Sequence, residues 1–95
     1  MRFEWDERKD CSNRAKHRVG FETAMLAFED PFHLSRVERI EGGEERWQTI
    51  GFASDQMLLM VVHTTRDLDD EEVIRIISAR RATTKERRRY EDAHA

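Results

Sequence analysis

The apolar residues of this chain fall into short runs, and the spacing within each run distinguishes strands from helices. Phe3 and Trp5 alternate with Arg2, Glu4 and Asp6, the period of a short half-buried strand. Asp6 offers an N-cap carboxylate and Glu7 favours the positive helix end, so a first helix is expected to run to about His17, with Gly20 available to end it. Phe21, Ala24, Met25 and Phe28 follow at i, i+3, i+4, i+7, the stripe of a core-packing helix, and Asp30-Pro31 stops it. A polar stretch with the flexible pair Gly42-Gly43 comes next. Three strand signals then follow: Glu45 to Phe52, Met57 to Thr64 and Val73 to Ala79. Polar turns join them, which predicts an antiparallel meander. Thr83 and Glu86 have the spacing of a capping box and open a last helix toward Tyr90. The order strand-helix-helix-strand-strand-strand-helix predicts a small α+β domain over residues 1–95, a twisted, mainly antiparallel sheet with helices on one face.

Composition changes this picture in two places. Charged residues make up 39% of the chain and hydrophobic ones 38%, so a modest core under a highly charged surface is expected. The net charge of −3 argues against a nucleic-acid binder, but its distribution argues the other way. Residues 73–90 carry seven basic residues against one acid, while residues 31–72 carry four against ten acids. Because salt screens charges beyond about 8 Å, a polyanion responds to the local excess. The lone Cys11 excludes an internal disulfide and any multi-cysteine zinc site. Charge within the first two residues argues against a signal peptide, and the run Met57 to Val62 is far short of the ~20 residues a membrane helix needs. A soluble, cytoplasmic protein without membrane association is expected.

Candidate chemistry centres on the strand-to-helix junction at Arg80 and Arg81. Arginine's planar fork suits phosphate, and the helix start at Thr83 places free N–H groups nearby. The alternative is that these arginines pair with the acids of residues 67–72 and merely close the sheet. Arg87-Arg88-Arg89 reads as a solvated face. Lys9, Asn13, Lys16 and His17 form a polar-cationic stripe on the first helix. His63 is either a titrating base at a cleft edge or a hydrogen-bonded core histidine. The acidic run Asp67 to Glu72 lacks the glycine and ligand spacing of a calcium loop and reads as a solvated turn. No metal site or cofactor motif is present in the sequence.

Four blocks in order carry a family resemblance: Phe3-Glu4-Trp5-Asp6; Asn13 with Lys16-His17, Val19 and Phe21-Glu22; Glu45-Arg46-Trp47 with Thr49-Ile50-Gly51; and the run Ile74 to Thr83. Together they resemble the BrnT family of ribonuclease toxins from bacterial type II toxin–antitoxin modules. The resemblance spans nearly the whole chain and departs over Phe32 to Gly43, where no functional residue is expected. It implies a RelE-like fold, RNA as substrate, inhibition of translation, and a BrnA-type antitoxin that links the toxin indirectly to operator DNA. On that basis Arg80 and Arg81 are expected to clamp the phosphate, with Arg46 as a third cation and His63 or His17 moving protons. Lys9, Lys16, Arg75 and Lys85 would contact flanking RNA, and Tyr90 or Trp47 would stack a base. The rival expectations are a non-catalytic nucleic-acid-binding module and a protein-interaction module that uses the same basic face.

Overall fold

The computed structural model describes residues 1–94. One five-stranded sheet has the order β1-β5-β4-β3-β2, with β1 at Arg2–Glu4, β2 at Leu34–Glu41, β3 at Glu44–Ser54, β4 at Met57–Leu68 and β5 at Glu71–Arg81. β1 runs parallel to β5 and the other pairs are antiparallel, so the mainly antiparallel α+β expectation holds. The helices are α1 at Glu7–His17, α2 at Phe21–Met25, continued by a 3-10 turn over Leu26–Glu29, and α3 at Thr84–Asp92. None of them is long and apolar enough to cross a membrane.

The sequence reading lacked one strand. β2 forms a hairpin with β3 across Gly42-Gly43, whose φ angles of 58° and 78° make the tight turn a right-twisted hairpin requires. The β4–β5 hairpin turns through Asp69 and Asp70, also at positive φ, so the acidic run is a hairpin tip.

The expected single helical face is also corrected. Phe21, Ala24, Ala27 and Phe28 pack with Leu59, Val61, Ile74, Ile76 and Ala79 on one side of the sheet. Leu58 and Met60, the alternate residues of β4, point the other way and pack with Ile50 and Tyr90 of α3. The sheet therefore has an α1/α2 face and an α3 face. Both sides of its centre are apolar, so both need a cover.

α1 starts where expected: Asp6 Oδ1 accepts from the N–H groups of Arg8 at 2.8 Å and Lys9 at 3.4 Å. It ends two residues before Gly20, at Arg18 in the left-handed region (φ 60°), and Gly20 instead precedes α2. α1 is held mainly by buried polar groups. Asp10 Oδ1 accepts from Phe21 N–H at 2.9 Å. Asn13 Nδ2 donates to the Val19 and Ala79 carbonyls at 2.8 and 2.7 Å, and its Oδ1 accepts from Ala79 N–H at 3.1 Å. β1 covers only residues 73–75 of β5, so past that point the Asn13 amide stands in for the missing neighbour strand. On the other flank, Gly51 lies against the 3-10 turn, where any Cβ would collide with the Ala27 carbonyl oxygen.

Candidate nucleic-acid interface

A bulge decides which arginine faces where. In a regular strand Arg75 and Arg81 would share a face. On β5, however, Val62 pairs with Ser78 and His63 with Ile76, which leaves Ile77 as an extra residue. The alternation inverts. Arg80, opposite Met60, shares the α3 face with Arg75, and Arg81, opposite Leu59, lies exposed on the α1/α2 side.

Arg80 is held rigidly. Its Nη1 and Nη2 donate to Glu86 Oε1 and Oε2 at 2.7 and 2.9 Å, and Nη1 also donates to the Arg81 carbonyl at 3.3 Å. Of the five guanidinium N–H groups, Nε–H and one on Nη2 stay open for a ligand. Glu86 is also the capping-box residue, accepting from Thr83 N–H at 2.9 Å while its own N–H donates to Thr83 Oγ1. The Arg80 hydrogen bonds pull the Glu86 carboxyl down to about 2, although burial opposes them. It is therefore a fixed anion at neutral pH. Arg80 does not pair with the acids of 67–72, which lie at the far hairpin tip; Arg66 and Arg75 pair with Glu4 at 2.9 and 3.6 Å.

Other cations on the α3 face include Arg46, with Arg39 opposite it, Arg36 and Arg89. Arg46 makes only a long contact to Glu41, at 3.9 Å. Arg36 on β2 stands opposite Gln48, and Arg89 Nη2 donates to Gln48 Oε1 at 3.4 Å. The solvated Arg87-Arg88-Arg89 face expected from sequence thus divides. Arg87 lies 5.7 Å over the Phe52 ring, Arg88 is exposed, and Arg89 turns inward. Arg36 and Arg89 were missed because only the β2–β3 hairpin and the pitch of α3 bring them together. Lys85 is exposed on the first turn of α3.

His63 is on the opposite side of the sheet. It is 2% exposed and packs 4.9 Å from the Phe28 ring, at the base of a cleft of about 180 Å³ also lined by His33, Ser35, Trp47 and Thr65. Nε2 bonds Thr49 Oγ1 at 2.7 Å, which in turn bonds Ser35 Oγ at 2.7 Å, and Nδ1 lies 3.2 Å from Thr65 Oγ1. Burial lowers its pKa to about 4, so the ring is neutral at pH 7. His63 thus combines features of both readings left open: it is buried and hydrogen-bonded, and it also lines a cleft. His17, Lys9 and Lys16 form a third group, along a groove with Ile77 and Ser78 at the open edge of β5. The expected catalytic set therefore does not converge: Arg80 and Arg46 share one face, while His63, His17 and Arg81 lie elsewhere.

Tyr90 is not available to stack a base. Its ring is buried against Phe52, and its hydroxyl donates to Asp30 Oδ2 at 2.6 Å. Burial and the neighbouring Asp30 push the phenol up to about 12. Among the described residues, no group of three or more His, Cys, Asp and Glu side chains is placed to hold a metal ion.

Comparison with known proteins adds a lineage to this geometry. No curated protein matches the sequence. The fold is similar to the crystal structure of the Brucella abortus ribonuclease toxin BrnT, with a TM-score of 0.61 and 23% identity over 88% of this chain and 99% of that one. The model of the family described as ribonuclease toxin, BrnT, of type II toxin–antitoxin systems matches residues 5–86. With that match covering most of its length, the chain belongs to the BrnT family of ribonuclease toxins.

Proposed function

We propose that residues 1–95 act as one toxin domain, a metal-independent endoribonuclease whose active face is the α3 side of the sheet. The observation that carries this reading is Arg80, fixed by Glu86 with two N–H groups open, on the same face as Arg46 and Arg75. In such a site the RNA's own 2′-oxygen attacks the adjacent phosphorus. The P–O2′ bond forms, the P–O5′ bond breaks, the 2′ proton leaves and the 5′ oxygen takes one up. Arg80 stabilises the charge that builds on the phosphoryl oxygens, and its fixed position avoids reorganisation at that moment. Arg46 adds a second cation, and Arg81, Lys85, Lys9 and Lys16 guide flanking strand around the edge of β5.

Of the two histidines offered as proton carriers, His63 lies away from Arg80. His63 is buried, neutral and across the sheet from Arg80, so positioning and charge stabilisation carry most of the rate in this reading. In the cell, cleavage of RNA in the cytoplasm inhibits translation until a BrnA-type antitoxin covers the toxin and ties it to operator DNA. The experiment is RNA cleavage by Arg80→Ala and Arg81→Ala variants shown to be folded, with and without a metal chelator. Arg80→Ala is expected to lose roughly 10²–10³ in rate, by analogy with removing an oxyanion donor, while the chelator changes nothing. Full activity in both variants shows the site to be wrong.

A further inference from the structure

Arg36 and Arg89 meet over Gln48 of β3 without an ion-pair partner among the described residues, and Arg46 stands nearby on the same strand. Arg36 lies across from Gln48, Arg46 is two residues before Gln48 on the same face, and Arg89 reaches down from α3 to Gln48 Oε1. Among the described residues, neither Arg36 nor Arg89 makes an ion pair, and the Glu41 that touches Arg46 at 3.9 Å bonds Arg39 more closely, at 3.0 Å. Two donors are stranded as well: the Nε atoms of Arg46 and Arg89 are buried with no hydrogen-bond partner. Burial, then the like charge of Arg36, weakens the hold of Arg89 on its proton, with Glu86 opposing. A buried donor without a partner costs free energy, and more so on a charged group. Such a cluster is destabilising by itself and is relieved by an anion.

We propose that Arg36 and Arg89, meeting at Gln48, form a phosphate subsite that holds the RNA backbone beside the nucleotide gripped by Arg80. This inference rests on the reading of RNA as substrate and extends it to residues outside the junction. The register supports the geometry. Arg80, Met60, Ile50 and Leu34 form one row across the sheet, and Ser78, Val62, Gln48 and Arg36 form the adjacent same-face row. Same-face rows lie roughly 7 Å apart, and β5 and β3 are roughly 10 Å apart. Two anion sites at that separation on one face suit a backbone with a repeating charge better than they suit an isolated carboxylate.

The test is binding of a short 2′-O-methylated RNA, which cannot be cleaved through its 2′-oxygen, measured over a series of salt concentrations. Arg89→Gln and Arg36→Gln are each expected to weaken binding about tenfold. Each should also reduce the slope of log affinity against log salt by about 0.7, the value for one phosphate of a single strand. Because both residues serve the same phosphate, the double variant should reduce the slope no further. Arg89→Lys should keep the slope and lose affinity, since it retains the charge without the fork. Arg88→Gln removes the same charge from the exposed side of α3 and should leave the slope unchanged. Thermal melting separates misfolding from loss of contact. Retained RNA binding with an unchanged slope in Arg89→Gln overturns the subsite and leaves the RNA reading intact. Absence of salt-dependent RNA binding by the unmodified protein overturns both. If Arg89→Gln instead loses affinity for a glutamate-rich peptide of equal charge while RNA binding is unaffected, the site belongs to an acidic protein partner and the inference is overturned.

Discussion

Arg80 and Glu86 join the end of β5 to the first turn of α3 through two parallel hydrogen bonds, of 2.7 and 2.9 Å. A residue expected to grip a ligand is thus first gripped by the protein, and Glu86 is at once cap, counter-ion and positioning group. Glu86→Gln should lower stability by about 2 kcal/mol through loss of the charge-assisted bonds. For a domain of this size that is roughly 10 °C in Tm. Cleavage should fall too, because Arg80 is no longer fixed.

The same pair predicts an acid-side signature. The Glu86 carboxyl is held at about 2 in the folded protein against an ordinary 4.5. A depressed folded value means that its stabilisation is complete above pH 4.5 and is lost as pH falls through about 2. Denaturant midpoints measured over that window should decline in the unmodified protein and decline less in Glu86→Gln.

Asn13 satisfies three buried backbone groups at once, so Asn13→Ala should cost about 2–4 kcal/mol by leaving them unmet. Asn13→Asp should be no better, because a carboxylate oxygen would then face the Ala79 and Val19 carbonyls. Urea unfolding of both variants checks this, with Asn13→Asp near wild-type stability as the contrary result.

Tyr90 is the only tyrosine in the chain, so ultraviolet titration reads it directly. It should ionise near 12 in place of 10, because burial and then Asp30 oppose the phenolate. The raised value means a stabilisation complete below pH 10 and lost as pH rises through about 12. An ordinary titration near 10 in the folded protein would contradict the buried Tyr90–Asp30 contact.

For His63 the lowered value of about 4 predicts a ring that stays neutral from pH 5 to 8. Its contribution to stability is complete above pH 6.5 and is lost as pH falls through about 4. Nuclear magnetic resonance of the four histidines should find one ring titrating near 4, and RNA cleavage should not follow a His63 titration between pH 5 and 8. A rate that rises or falls with a histidine-like midpoint, and does so no longer in His63→Gln, would restore His63 as a proton carrier.

Local chemistry made much of this fold readable in advance. The Asp6 cap, the Phe21 to Phe28 stripe, the strands of residues 45–79 and the Thr83–Glu86 box each depend on residues close in sequence, so composition and spacing suffice to identify them. β2 was not readable, because it is an edge strand exposed along nearly all its length and carries no apolar alternation. Gly42-Gly43 was the available signal for its hairpin.

The site needed the tertiary structure. The sequence by itself determined the family, the element types and the concentration of arginine near the C-terminal end. Only the packed sheet decided which arginine faces α3, because one extra residue at Ile77 inverts the alternation beyond it. Likewise, only packing on both faces separated His63 from Arg80, and only the β2–β3 hairpin carried Arg36 to Arg89. Spacing along the chain records which residues share an element. Which elements share a face depends on bulges and long-range pairing, which no local pattern records.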